Sequence, residues 1–146
     1  MLTDLYQLTM AYGYWKTGLH EREAVFHVTF RRNPFEGGYS VAAGLELAID
    51  FLSNLRFARE DLDYLASVPG RDGAPVFDSA FLRELERFEL ALDVDAVPEG
   101  TLVFPNEPLV RIRGPLLQAQ LVETTLLNLI NFQTLIATKA ARVVHA

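Results

Sequence analysis

The chain has 146 residues, the length of one ordinary domain. Half of it is hydrophobic and 22% is charged, which supplies a packed core and argues against disorder. The formal net charge of -6 weighs against a nucleic-acid binder, which carries a basic surplus; phosphate ligands stay open, because a few arginines in one pocket make a local positive field.

The first predicted element is a helix from Asp4 to Lys16. Asp4 is placed to cap it, Gln7 sits where its side chain reaches back to the cap nitrogen, and Gly18 stops it. Ala24 to Arg32 (AVFHVTFRR) reads as a strand. Phe26, Val28 and Phe30 share one face; Val25, His27 and Thr29 share the other. Asn33-Pro34 ends the run, and Glu36-Gly37-Gly38 reads as a flexible loop. Val41 to Leu55 reads as a helix with Leu45, Ala48, Ile49 and Leu52 on its apolar face. A short helix follows over Glu60 to Ala66, then the clearest loop, Pro69 to Pro75, then a helix over Ser79 to Arg87 with Ser79 as its cap.

Between Asp93 and Arg113 the spacing predicts two short strands, Thr101 to Phe104 and Leu109 to Arg113, joined by the turn Pro105-Asn106-Glu107-Pro108. Gly114-Pro115 closes the unit, and Pro115 suits the first turn of a helix. No Gly or Pro occurs from Leu116 to Ala146. Leu117, Gln120, Leu121, Thr124, Leu127, Leu129 and Ile130 predict a long, mostly buried helix. Gln118, Gln120, Glu123, Asn128, Asn131 and Gln133 make this a helix of a soluble core rather than a membrane span. It meets no stop signal, so a truncated chain is the expectation.

With no cysteine, disulfide frameworks, cysteine metal sites and thiol nucleophiles all drop out, as suits a cytoplasmic protein. His20, His27 and His145 are too scattered for a metal-ligand spacing. No signal peptide opens the chain, and no Gly-rich phosphate motif occurs in it.

Four places carry candidate chemistry. Asp4 and Tyr6 are either a helix cap and a core tyrosine, or a carboxylate beside a ring that stacks on a flat aromatic ligand. Arg31 and Arg32 follow a strand and precede a Gly loop, where ligand-binding residues gather. Arginine offers a fork suited to phosphate or carboxylate, although neighbours on a strand face opposite ways, so only one shares a pocket side. Lys139 and Arg142, three apart on the last helix, either approach a phosphate or form a solvated edge. Asn128 and Asn131 need hydrogen-bond partners if buried.

Several blocks taken in order resemble nicotinate phosphoribosyltransferase over essentially the whole chain. They are Leu2-Thr3-Asp4-Leu5-Tyr6-Gln7; Phe30-Arg31-Arg32-Asn33-Pro34-Phe35 with Gly37-Gly38; Ala42-Ala43-Gly44-Leu45; Pro98-Glu99-Gly100; Gly114-Pro115-Leu116-Leu117; and Asn131-Phe132-Gln133-Thr134-Leu135-Ile136-Ala137-Thr138-Lys139-Ala140-Ala141-Arg142. The resemblance implies an α+β fold. Residues 1–114 would be the N-terminal domain of a type II phosphoribosyltransferase, and residues 115–146 a long helix leading into an α/β barrel that this chain lacks. It implies an enzyme that joins nicotinate to phosphoribosyl pyrophosphate with ATP hydrolysis, in NAD synthesis. Mg2+ and ATP are expected for the full-length enzyme, and a homodimer with shared active sites.

By position, the resemblance makes Tyr6 the tyrosine that stacks on the pyridine ring across the dimer, with acidic Asp4 beside it. Arg31 or Arg32 falls near the phosphate end, and Phe132, Thr138 and Lys139 fall where the long helix leads to the barrel. The residues that do the chemistry would lie beyond Ala146, leaving this chain inactive alone. The competing expectations are a relative acting on nicotinamide or quinolinate, and a non-catalytic binding module. No nucleic-acid or membrane partner is expected.

Overall fold

The computed structural model describes residues 3–145; Met1, Leu2 and Ala146, and with them the start of the first resemblance block, lie outside the described residues. In chain order the elements are α1 (Leu5–Lys16), β1 (Glu23–Thr29), a 3-10 turn (Pro34–Glu36), β2 (Ser40–Val41), α2 (Leu45–Asn54), α3 (Arg59–Ser67) and α4 (Ser79–Glu86). They continue with β3 (Asp93–Ala96), β4 (Leu102–Val103), β5 (Pro108–Pro115) and α5 (Leu116–His145). This is the mixed helix and sheet architecture that the sequence leads one to expect.

The organising element is α5, 30 residues long. Its early turns carry apolar residues on two faces, so it is buried on two flanks at once. Leu117 and Leu121 pack with Leu8 and Ala11 of α1, Leu62 of α3 and Phe81 of α4. Ala119, Val122, Leu126 and Ile130 pack against Val28 of β1 and Val110 and Ile112 of β5. Leu121 and Leu126 are fully buried; burial of such a side chain contributes about 1.5–3 kcal/mol.

The three-stranded antiparallel sheet has the order β1-β5-β3, with β5 in the centre. Val28 opposes Val110 and Phe26 opposes Ile112, so the predicted apolar face of β1 is the core face. On the outer face Arg113 sits opposite Asp93 and Arg111 opposite Asp95. Both form ion pairs, at 2.9 and 2.7 Å.

Five sequence expectations change. Strand β1 ends at Thr29, after a register shift at Val28/Thr29, so Arg31 and Arg32 lie beyond it and the facing argument does not apply to them. The predicted helix over Val41 to Leu55 starts at Leu45 instead. Val41 belongs to β2, and Gly44 sits at φ 98°. A Cβ there would come within 2.5 Å of the Leu129 carbonyl oxygen, so only glycine lets the chain turn this close to α5. Glu99 then caps α2 from outside: its Oε1 accepts from the Gly44 and Leu45 N–H groups, both at 2.7 Å. Ile49, expected on the buried face, is 52% exposed, while Ala48 and Leu52 are buried.

The predicted hairpin between Thr101–Phe104 and Leu109–Arg113 does not form. The turn is there, with Asn106 at φ 66°. But β4 pairs with β2 in a separate two-stranded sheet, because β5 is flanked on both sides by β1 and β3. The cap of α4 is Asp78 rather than Ser79: Asp78 Oδ1 accepts from the Phe81 N–H at 2.9 Å.

Asp78 Oδ2 also receives Lys16 Nζ at 2.6 Å and the Tyr12 hydroxyl at 3.1 Å. Lys16, and then the Phe81 N–H, hold the Asp78 carboxyl at about 2, below its ordinary 3.8. A carboxyl depressed in the folded state stabilises above its unfolded pKa, and that contribution is lost as pH falls through the folded value. The melting temperature of the Asp78→Asn variant, followed by circular dichroism, is therefore expected to fall less steeply than that of the parent between pH 3.8 and about 2. Parallel acid limbs for the two proteins would contradict this.

Candidate functional site

The first group of predicted residues gathers where α1 begins against the middle of α5. The Thr3 hydroxyl donates to the Leu121 carbonyl at 3.3 Å. The Thr124 hydroxyl donates to Asp4 Oδ2 at 3.1 Å. Gln7 is fully buried, and its Oε1 accepts from the Asp4 N–H at 3.5 Å, the returning half of the expected capping interaction. The Asp4 carboxylate is thus turned to Thr124, and Tyr6 is left 48% exposed rather than in the core.

Beside this junction lies a cleft of about 350 Å³ between β1 and α5. Phe26, His27 and Arg31 line one side, and Glu123, Leu126 and Leu127 the other. Glu123 Oε2 accepts from Gln120 Nε2 at 2.6 Å, and Gln120 Oε1 is within 3.5 Å of the Tyr14 hydroxyl. Glu123 and Thr124 are neighbours on α5, so Arg31 and Asp4 border the same stretch of that helix. By sequence alone Gln120 and Glu123 read as polar interruptions of a long apolar helix, with Gln120 on its buried face. Their use as a polar seam between α1 and β1 depends on which side of α5 each element packs.

A second group lies near the far end of α5. Lys139 Nζ stands 4.9 Å from the centroid of the Phe35 ring, and the Arg142 guanidinium 5.4 Å from it. Arg142 Nη1 donates to the Phe35 carbonyl at 2.8 Å. Among the described residues, Arg31, Arg32, Lys139 and Arg142 have no carboxylate within ion-pair distance, whereas Arg111 and Arg113 are paired. Unpaired cations flanking one loop give a locally positive surface on an acidic chain. Phe132 lies between the two groups, 59% exposed. Asn128 is exposed, and Asn131, half-buried, keeps its Oδ1 enclosed with no partner among the described residues.

Thr138 differs from its neighbours. It is fully buried, accepts the Val41 N–H at 2.9 Å and donates to the Thr134 carbonyl at 2.6 Å. Thr134, one turn earlier, bonds both the N–H and the carbonyl of Ala43, each at 3.1 Å. The Thr138 hydroxyl is therefore engaged in holding β2 to α5.

The largest cleft, about 580 Å³, is elsewhere, lined by apolar residues such as Leu52, Phe88 and Leu92. Among the described residues no group of three His, Asp or Glu side chains converges as a metal site, and no helix is long and apolar enough to cross a membrane.

The fold and the site's position define a class: a small α+β domain built around one long helix, with its polar residues placed along that helix's length. The profile described as nicotinate phosphoribosyltransferase (NAPRTase) N-terminal domain matches residues 1–131, and the chain belongs to that family. It is 49% identical over 141 residues to the nicotinate phosphoribosyltransferase of Bacillus subtilis, covering 97% of this chain and 28% of that protein. The crystal structure of human nicotinic acid phosphoribosyltransferase superposes with a TM-score of 0.87 at 45% identity, over 97% of this chain and 28% of that one. The nicotinate-nucleotide pyrophosphorylase of Pyrococcus furiosus shares the fold, with a TM-score of 0.54 at 22% identity, over 88% of this chain and 24% of that one. The chain thus spans about a quarter of the length of the relatives it matches.

The two kinds of residue at the end of α5 respond differently to substitution. Thr138→Val leaves the part-buried Val41 N–H without its Thr138 acceptor and is expected to cost about 1–3 kcal/mol in urea unfolding. Lys139→Met, on the exposed side, is expected to change stability by less than about 0.5 kcal/mol. Equal effects would contradict the separation of their roles.

Proposed function

We propose that this chain is the N-terminal segment of an enzyme that joins nicotinate to phosphoribosyl pyrophosphate, giving nicotinate mononucleotide and pyrophosphate. The near-complete coverage of the chain by nicotinate phosphoribosyltransferases at 45–49% identity supports the reading. The observation on this chain that carries it is the exposed Tyr6 ring at the start of α1, two residues on from an Asp4 carboxylate held in place by Thr124.

The chemistry asks for two things. A flat, electron-poor pyridine must be held with its nitrogen aimed at the ribose carbon, and negative charge on the departing pyrophosphate must be stabilised. An exposed tyrosine face serves the first. Unpaired arginine and lysine side chains serve the second. Tyr6 is assigned to the pyridine ring, with Asp4 beside it. Arg31, Arg32 and Lys139 are assigned to the phosphates. Phe132 belongs to the surface between them, and Thr138 supports the loop from within.

Arg31 borders the same stretch of α5 as Asp4, but Lys139 lies far from it. Thr124, which marks the Asp4 end, and Lys139 are about 22 Å apart along α5 at the usual rise per residue. One substrate pair does not span that length within a single copy. A homodimer in which the groups of different copies complete each site resolves the mismatch, and belongs to the proposal. Coupling to ATP hydrolysis, the use of Mg2+ and a cytoplasmic location are parts of the same reading. No residue of this segment is assigned to ATP or to the metal, and the remaining catalytic groups are assigned to the part of the enzyme outside it.

The test is turnover by the full-length enzyme carrying this segment, with nicotinate, nicotinamide and quinolinate compared as bases. Nicotinate mononucleotide is expected as the favoured product, and preference for another base would overturn the substrate assignment. Tyr6→Ala is expected to raise the KM for nicotinate about tenfold, the size of one lost stacking contact, while Tyr6→Phe stays within about threefold of the parent. Unchanged KM in Tyr6→Ala would remove Tyr6 from the site.

A further inference from the structure

We propose that Arg142 is a positioning residue that locks the Phe35–Gly37 turn against α5, and through that turn holds the Arg31–Arg32 pair where it meets phosphate. The inference rests on the assignment of those arginines to the phosphate end.

Phe35 and Glu36 are consecutive non-glycine residues at φ 60° and 55°. Each conformation is disfavoured for a side chain with a Cβ, and two in succession persist only when surrounding contacts hold them. Arg142 supplies those contacts. Its Nη1 donates to the Phe35 carbonyl at 2.8 Å, and its guanidinium lies 5.4 Å from the ring of the same residue. One planar cation thus grips both the backbone and the side chain of Phe35. A lysine, with a single nitrogen, does not do both in one geometry.

Gly37 completes the fit. A Cβ built at Gly37 would overlap the Nη2 and Cζ atoms of Arg142. The guanidinium occupies the space a side chain would need. Nη2 itself is enclosed there with no hydrogen-bond partner among the described residues, so the close packing is made at a polar cost.

The lock matters because of where the loop is otherwise held. On one side the Phe30 carbonyl accepts from the Asn106 N–H at 2.8 Å. On the other, the Ser40 hydroxyl donates to Asn33 at 3.1 Å, and the Val41 N–H donates to Thr138 at 2.9 Å. Arg31 and Arg32 lie just after the first tie, both exposed and without a carboxylate partner among the described residues. Arg142 ties down the middle of the loop. Thr134, Thr138 and Arg142 recur every four residues, so one stripe of α5 makes all three attachments.

The test uses the full-length enzyme, with Arg142→Ala, Arg142→Lys, Gly37→Ala and the double variant Gly37→Ala/Arg142→Ala. Arg142→Ala is expected to raise the KM for phosphoribosyl pyrophosphate about tenfold, with the KM for nicotinate within about twofold of the parent. Titration with inorganic pyrophosphate, followed by calorimetry, is expected to show the same loss without any need for turnover. Arg142→Lys should not rescue, Gly37→Ala should reproduce the defect by displacing the guanidinium, and the double variant should be no worse than either single change. Equal shifts in both KM values, rescue by lysine, additive losses, or a lowered melting temperature with unchanged KM values would each overturn the proposal. A parent enzyme that binds pyrophosphate but makes no nicotinate mononucleotide would count against the function instead.

Discussion

Everything in this domain leans on one helix that has to be buried on two sides. Leu117 and Leu121 close the helical core against α1, α3 and α4, while Val122, Leu126 and Ile130 close the sheet core against β1 and β5. Neither core is complete without α5, because each takes some of its fully buried residues from it. A helix used this way cannot shift along its axis without opening both cores, since close-packed interiors tolerate little loss of volume. It is therefore a rigid rail, and polar residues set along it hold fixed relative positions.

Past Ile130 the character of the rail changes. Apolar burial gives way to specific polar attachments, with Thr134 and Thr138 wholly buried and hydrogen-bonded to the backbone around β2. The two threonines satisfy backbone groups that a two-stranded ladder leaves open, which is the usual requirement for burying a polar side chain. On the other side the helix shows an apolar strip, with Phe132 and Ile136 about half exposed and Val144 80% exposed. The first half of α5 is thus consumed by this domain, and the second half is shared between the β2 loop and solvent.

Electrostatics follow the same division. The acidic total of the chain is spread over helix surfaces and cross-strand pairs, where each charge is partnered or solvated and worth little. The cations near Phe35 stand out by gathering around one loop. Their effect is one of position rather than number, because a positive surface a few residues wide attracts an anion whatever the sign of the whole molecule.

Cap and stop residues made α1 legible, and periodicity made α5 and the inward face of β1 legible, because such local signals need no knowledge of the partner. The family too could be read, since its ordered blocks are a property of the sequence. What stayed hidden depended on contacts between distant segments. The start of α2 is decided by Gly44 pressing against Leu129 and by Glu99 capping from a loop 55 residues away. The partner of β4 is decided by β5 being occupied on both edges. Asp4 and Tyr6 illustrate both sides: their helical spacing left a cap and a core tyrosine as one reading, yet the docking of α1 on α5 turns the carboxylate to Thr124 and leaves the ring exposed. The sequence alone carried most of the helices, the strand β1 and the family they belong to, because those follow from local pattern. Only the tertiary structure decided which polar groups meet and which are left free, because hydrogen bonds and ion pairs form between atoms brought within a few ångströms by packing that no local pattern encodes.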